Sequence, residues 1–178
     1  VAISPDGKLA ALGSYGQVRV VDSQSRAALR TLKGHRGNVT AVEFSSDGVR
    51  IVSAAGEPGV FGEVKIWNAA DGALVRTIVG HKDSLYDAAL SRDGKLLATG
   101  GYDQQIKLWT AETGQELRTL AGHNGAIFDL AFSPDGKLLA SASADRSVKL
   151  WDVATGTRLD TFGQPLKELY AVAFSPDG

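Results

Sequence analysis

Apolar residues along this chain fall into short alternating runs, and the 3.6-residue stripe of a helix of useful length is absent. The clearest run is Ile127-Phe128-Asp129-Leu130-Ala131-Phe132, which stops at Ser133-Pro134-Asp135-Gly136. That cluster suits a tight connection between strands, its glycine supplying positive φ. Residues 137–143 form a second run, ended by Ala144-Asp145-Arg146. Ser147-Val148-Lys149-Leu150-Trp151 is a third, closed by Ala154-Thr155-Gly156, and residues 157–162 are a fourth. The pattern predicts four short antiparallel strands within one stretch of about 40–45 residues.

The stretch repeats. Ser4-Pro5-Asp6-Gly7 returns as Ser45-Ser46-Asp47-Gly48, Ser91-Arg92-Asp93-Gly94, Ser133-Pro134-Asp135-Gly136 and Ser175-Pro176-Asp177-Gly178, with serine spacings of 41, 46, 42 and 42. Gly-His recurs at His35, His81 and His123, and an apolar run ending in tryptophan recurs at Trp67, Trp109 and Trp151. Five aligned turns, three Gly-His pairs and three tryptophans held in register are a far stronger signal than any one of them.

On these residues the chain resembles the WD40 repeat β-propellers, over essentially its whole length, and the near-consensus turns are most similar to bacterial members. The resemblance implies an all-β fold of four-stranded antiparallel blades, four repeats forming an arc or part of a larger ring. It implies a partial blade over 1–33, blades over 34–79, 80–121 and 122–163, and the start of another over 164–178. It further implies a structural hydrogen-bonded tetrad in each regular repeat: the Gly-His histidine, a second-strand hydroxyl, a turn aspartate and the third-strand tryptophan. His81, Thr99, Asp103 and Trp109 make one set, and His123, Ser141, Asp145 and Trp151 the other. The second repeat keeps His35, Ser53 and Trp67 but carries Glu57 and the insertion Glu57-Pro58-Gly59-Val60-Phe61-Gly62 where the aspartate belongs. In the first, Leu12 and Val21 replace the hydroxyl and the tryptophan, and the fifth opens with Gly163-Gln164. These irregular blades are expected to be held mainly by apolar packing.

One histidine per repeat argues against a metal centre, because a ring of blades spreads the imidazoles around it. The Ser-x-Asp-Gly turns offer too few oxygens for a calcium loop. Gly13-Ser14-Tyr15-Gly16 lacks the lysine and the following helix of a phosphate loop. No catalytic set and no cofactor are expected. Function therefore belongs to a surface, and the family places partner contacts at the loops of the top face. The positions three and five after the histidine are Asn38 and Thr40, Ser84 and Tyr86, and Ala126 and Phe128; Glu168 and Tyr170 follow in the fifth repeat. Tyr102 and, approximately, Tyr15 occupy the position before the turn aspartate. Phe61, in the inserted turn, is expected as a further contact residue. Asp87 and Asp129, one position further on, suit hydrogen bonds to backbone.

Composition adds exclusions. With 19 Lys+Arg against 20 Asp+Glu and no basic stripe beside the aromatics, nothing favours nucleic acid. No apolar run approaches a membrane span, and the absence of cysteine removes disulfides and thiolate chemistry. The chain begins at Val1 and lacks methionine, so it is expected to be a piece of a longer protein, with open blade edges inviting self-association. The expected role is a non-catalytic scaffold binding a protein or peptide on the top face. The alternative is the propeller region of a multidomain enzyme or cytochrome-type redox protein, since the insertion between Gly56 and Trp67 is similar to that of repeats fused to cytochrome-type domains. The compartment, cytoplasmic or periplasmic, is not set by these features.

Overall fold

The computed structural model describes residues 1–163 and 167–178, and among them there is no helix. Gln164 lies outside the described residues. Fourteen strands form three antiparallel sheets. The first follows chain order: β1 (Ala2–Ile3), β2 (Leu9–Asp22), β3 (Ala28–Phe44), β4 (Arg50–Glu57), β5 (Phe61–Asn68) and β6 (Leu74–His81). The second holds β7 (Leu85–Leu90), β8 (Leu96–Gly101), β9 (Ile106–Thr110) and β10 (Glu116–Leu120). The third holds β11 (Ile127–Phe132), β12 (Leu138–Ser143), β13 (Ser147–Asp152) and β14 (Arg158–Gly163). The chain divides into two compact units, Val1–Ala88 and Ala89–Gly178.

The first sheet looks irregular because two of its strands do double duty. A straight strand of 14 residues would span roughly 45 Å. Yet the backbone N–H of Ser23 donates to the carbonyl of Lys8 at 2.9 Å, joining the two ends of β2. The strand therefore folds back on itself near Gly16, whose φ is +72°, and supplies the second and third strands of the first repeat. β3 does the opposite. Residues 28–33 pair with β2, then residues 38–44 pair with β4, and Asn38 is registered with both Tyr15 and Gly56. One continuous strand thus closes the first repeat and opens the second.

The first four Ser-x-Asp-Gly turns are built by the same three side-chain bonds. The serine hydroxyl donates to the aspartate (Ser4–Asp6 2.7 Å, Ser45–Asp47 2.6 Å, Ser91–Asp93 2.7 Å, Ser133–Asp135 2.7 Å). It accepts the N–H five residues on, from Leu9, Arg50, Leu96 and Leu138, at 2.8–2.9 Å. The same aspartate oxygen accepts the N–H two residues on. Ser46 and Arg92 replace proline without changing the turn, so serine, aspartate and glycine carry it; the glycines have φ of +68° to +73°. A further bond locks the turn to the end of the third strand: Ser23 to Lys8, Ala69 to Val49, Ala111 to Lys95 and Val153 to Lys137, all at 2.8–2.9 Å.

Apolar packing joins successive repeats within each unit. In the first, Leu32 of β3 shares a cluster with Val18, Val20, Ile51 and Trp67. In the second, Leu120 of β10 shares one with Ile106, Leu108, Leu139 and Trp151. The tryptophan of one repeat thus packs with the last strand of the repeat before it.

The turn between third and fourth strands ends on Gly72, Gly114 and Gly156, with φ of +73° to +78°. In the first repeat Arg26 occupies that position at φ +61°, exposed. A side chain in this region costs about 1–2 kcal/mol, partly offset by the greater unfolded-state freedom of glycine. Arg26→Gly is expected to stabilise the chain by about 0.5–1 kcal/mol in chemical denaturation; a destabilised variant would show that Arg26 makes a contact worth more than its strain.

Candidate functional site

The fourth repeat contains a closed polar network. Trp151 Nε1 donates to Ser141 Oγ at 2.9 Å, and Ser141 Oγ lies 2.7 Å from His123 Nε2. His123 Nδ1 lies 2.7 Å from Asp145 Oδ2, which also accepts the N–H of Asn124 at 3.0 Å. Burial lowers the pKa of His123 against the pull of Asp145, so the imidazole is neutral at physiological pH. The proton order follows: Nδ1–H donates to Asp145, and Nε2 accepts from Ser141. Burial pushes the Asp145 carboxyl up, but bonds from Ser147, the Asn124 N–H and His123 outweigh it and hold it at about 2. Serine, histidine and aspartate are the residue types of a hydrolytic triad. Ser141 is nevertheless fully buried with its oxygen occupied by the indole, so no substrate carbonyl can reach it. The network's chemistry is cohesion.

The second repeat departs from expectation. Packing alone does not hold it: Glu63, at 3% exposure, takes the place of the missing aspartate. His35 Nδ1 lies 3.0 Å from Glu63 Oε1, His35 Nε2 lies 2.7 Å from Ser53 Oγ, and Trp67 Nε1 donates to Ser53 at 2.8 Å. The N–H of Arg36 and the ammonium of Lys65 complete the shell of Glu63, at 3.1 and 3.5 Å. Burial raises the Glu63 pKa, but these partners bring it below the ordinary value, and burial lowers that of His35. The insertion displaces the turn, so the carboxylate arrives from β5. Glu63 is four residues before Trp67, as Ser147 is four before Trp151, and period-2 alternation puts Glu63, Lys65 and Trp67 on one face. That parity was the readable signal.

In the third repeat Trp109 Nε1 donates to Thr99 Oγ1 at 2.8 Å, and Asp103 is half-buried. His81 is buried within the first unit. In the first repeat Ala11, Val18, Val20 and Leu32 fill the interior.

The expected contact residues separate into exposed and committed groups. In the first unit Tyr15 is 74% exposed and registered opposite exposed Asn38. A side chain on Gly56, Asn38's other partner, would lie 2.7 Å from the backbone of Ser84. Tyr15, Asn38 and Ser84 therefore gather at one end of the first sheet. Ser84 itself is buried, Tyr86 half-buried, and the Thr40 hydroxyl is spent on the carbonyl of Leu85 at 2.8 Å. Phe61 corrects the expectation of an open contact residue. It is 8% exposed, and the Arg36 guanidinium lies 4.1 Å over its ring. Strand β5 begins at Phe61, which turns it inward and leaves Val60 at the exposed tip; Asp83 holds the tip by accepting the N–H of Gly59 at 2.7 Å.

In the second unit Phe128 stacks on Tyr170, centroids 5.0 Å apart at 22°. Tyr170 is 66% exposed, and its hydroxyl donates to exposed Glu168 at 2.5 Å. Asp129 accepts the N–H of Val172 at 2.7 Å, fixing the 167–178 segment beside β11. Tyr102 is 56% exposed. It lies two residues beyond Gly100, where an added Cβ would meet Ile127 at 2.6 Å, so Tyr102 and Phe128 sit at the same end of this unit.

The WD domain, G-beta repeat family profile matches residues 26–68, 72–110 and 114–152. These segments cover more than half of the chain, which belongs to the WD40 repeat family, and its sheets are WD40 propeller blades. No curated protein matches it.

Asp145→Ala leaves the His123 and Asn124 donors without their acceptor, and Glu63→Ala does the same to His35 and Arg36 and removes the counter-charge of Lys65. Unsatisfied buried groups cost about 1–3 kcal/mol, so each variant is expected to lose that much in urea denaturation. Wild-type midpoints would remove the networks from the account of stability.

The titration direction follows from linkage. His35 and His123 have folded pKa values below the ordinary 6.5, so the unfolded chain takes up protons first as pH falls. Asp145, held at about 2 against 3.8, contributes stability that is present above its unfolded value and lost as pH drops toward 2. The melting temperature is expected to fall steadily from pH 7 to pH 5, then further below pH 4. A flat profile from pH 7 to 5 would mean that the imidazoles take up protons as readily in the fold as in the unfolded chain.

Proposed function

We propose that this chain is a non-catalytic interaction module whose partner, a protein or peptide, binds the blade end that carries Tyr102, Phe128, Glu168 and Tyr170. WD40 repeats generally mediate protein–protein interaction. The observation that carries the assignment is the Phe128–Tyr170 stack, an exposed tyrosine ring laid on a half-buried phenylalanine beside a backbone pinned by Asp129. Aromatic rings on a rigid support give a large contact area at little entropic cost, which is why they dominate interface hot spots. The polar networks do not compete for this role, because their serine and histidine groups are sealed and spent on one another.

The test compares capture of partner polypeptides by the wild-type chain and by Tyr102→Ala/Tyr170→Ala, with melting curves as the control for folding. At least a tenfold loss of affinity with little change in melting temperature is expected. Unchanged capture of every partner would remove this surface from the function.

A further inference from the structure

The third strand of the second, third and fourth repeats carries a lysine two residues before its tryptophan: Lys65, Lys107 and Lys149, all nine-tenths buried or more. In two repeats the ammonium is neutralised in the same manner. Lys107 Nζ donates to both carboxylate oxygens of Glu116 at 2.9 Å and to Thr119 Oγ1 at 3.0 Å, and Thr119 itself donates to Glu116 at 2.7 Å. Lys65 Nζ reaches Glu63 at 3.5 Å and Thr77 Oγ1 at 3.0 Å.

The fourth repeat keeps the donors and lacks the acid. Lys149 is registered with Thr161, as Lys107 is with Thr119. Trp151 is registered with Arg158, where Trp109 faces Glu116. A guanidinium therefore stands at the carboxylate's place. Among the described residues the side chains of Lys149 and Arg158 make no hydrogen bond or ion pair, although Lys149 is 6% exposed. Where a Cβ on Gly122 would be, the Trp151 ring edge lies 3.3 Å away and Arg158 Nη1 3.7 Å, so the guanidinium lies beside this glycine with the indole. Both cations act on His123, lowering its proton affinity. Two cations held in one place without a carboxylate repel each other until an anion joins them.

We propose that Lys149, Arg158 and Thr161 form a binding site for a carboxylate supplied by another polypeptide, an aspartate or glutamate side chain of an acidic peptide. The Lys107–Glu116–Thr119 cluster is the occupied form of the same site, built into the neighbouring repeat. The incoming carboxylate takes the Lys149 ammonium and Thr161 hydroxyl as Glu116 takes theirs, and Arg158 adds a two-pronged contact from the rim. The site shares no residue with the aromatic surface and stands or falls separately from it.

The test uses the whole chain, isotope-labelled, and follows the Gly122 amide and the Trp151 indole by NMR. The probes are a capped peptide with two glutamates, its glutamine counterpart, and inorganic phosphate. Saturable shifts with the glutamate peptide alone are expected, weakened at least tenfold in Arg158→Gln and Lys149→Met. Arg158→Glu restores the internal pair; it is expected to abolish binding and raise the melting temperature. Arg158 is exposed, so its variants keep the test decisive even if Lys149→Met fails to fold. Equal shifts with the glutamine peptide, unchanged binding in Arg158→Glu, or tighter binding of phosphate than of the glutamate peptide would each overturn the assignment.

Discussion

A neutral imidazole sealed inside a sheet needs one acceptor and one donor, and that requirement organises the blade around it. In the fourth repeat it fixes the tautomer of His123, orients the Ser141 hydroxyl and commits the Trp151 indole, tying the second and third strands to the loop that precedes the first. Buried polar groups tolerate no vacancy. When the aspartate is lost from its turn, the acid has to arrive from elsewhere, and Glu63 does so from the adjoining strand. The need for a carboxylate persists while its address in the sequence changes.

The turns follow a similar economy at the opposite side of the polar networks. One serine oxygen both donates and accepts, one aspartate oxygen receives two donors, and one glycine takes the backbone through positive φ. The hydroxyl and backbone bonds hold these carboxylates below their usual range. The turn is thus self-contained, and the variable second position has no structural task. Its clasp to the end of the third strand is made by backbone alone, which is why Ser23, Ala69, Ala111 and Val153 can differ without altering the blade.

Much of this was legible in the residues. The recurring Ser-x-Asp-Gly turns, the Gly-His pairs and the terminal tryptophans specify strands, periods and family because each is a short-range signal with a fixed offset. Tyr15, Tyr102 and Tyr170 were readable as exposed because turns and strand ends face solvent. Glu63 and Phe61 were not. Both flank the insertion, where counting from the turn loses register and only strand parity keeps it. The length of β2 and β3 was also hidden, since the register of β3 steps from Lys33 to Asn38 across an irregularity and resumes on partners distant in sequence. The Lys149–Arg158 pair shows the reverse case: the residues are plain in the chain, but their lack of an acid has meaning only when the neighbouring repeats are compared in three dimensions.

The continuous β3 also sets where the chain can come apart. An ordinary solenoid or propeller repeat ends in a loop, and a loop is a seam along which one repeat can fray without its neighbour. Here the seam between the first two repeats is occupied by a hydrogen-bonded strand whose Asn38 faces both sides. Peeling away the first repeat breaks into the ladder of the second, so the two open as a single cooperative block. A duplication or deletion of one repeat at this point would cut through a strand, which makes the pair the smallest heritable unit at this end of the protein.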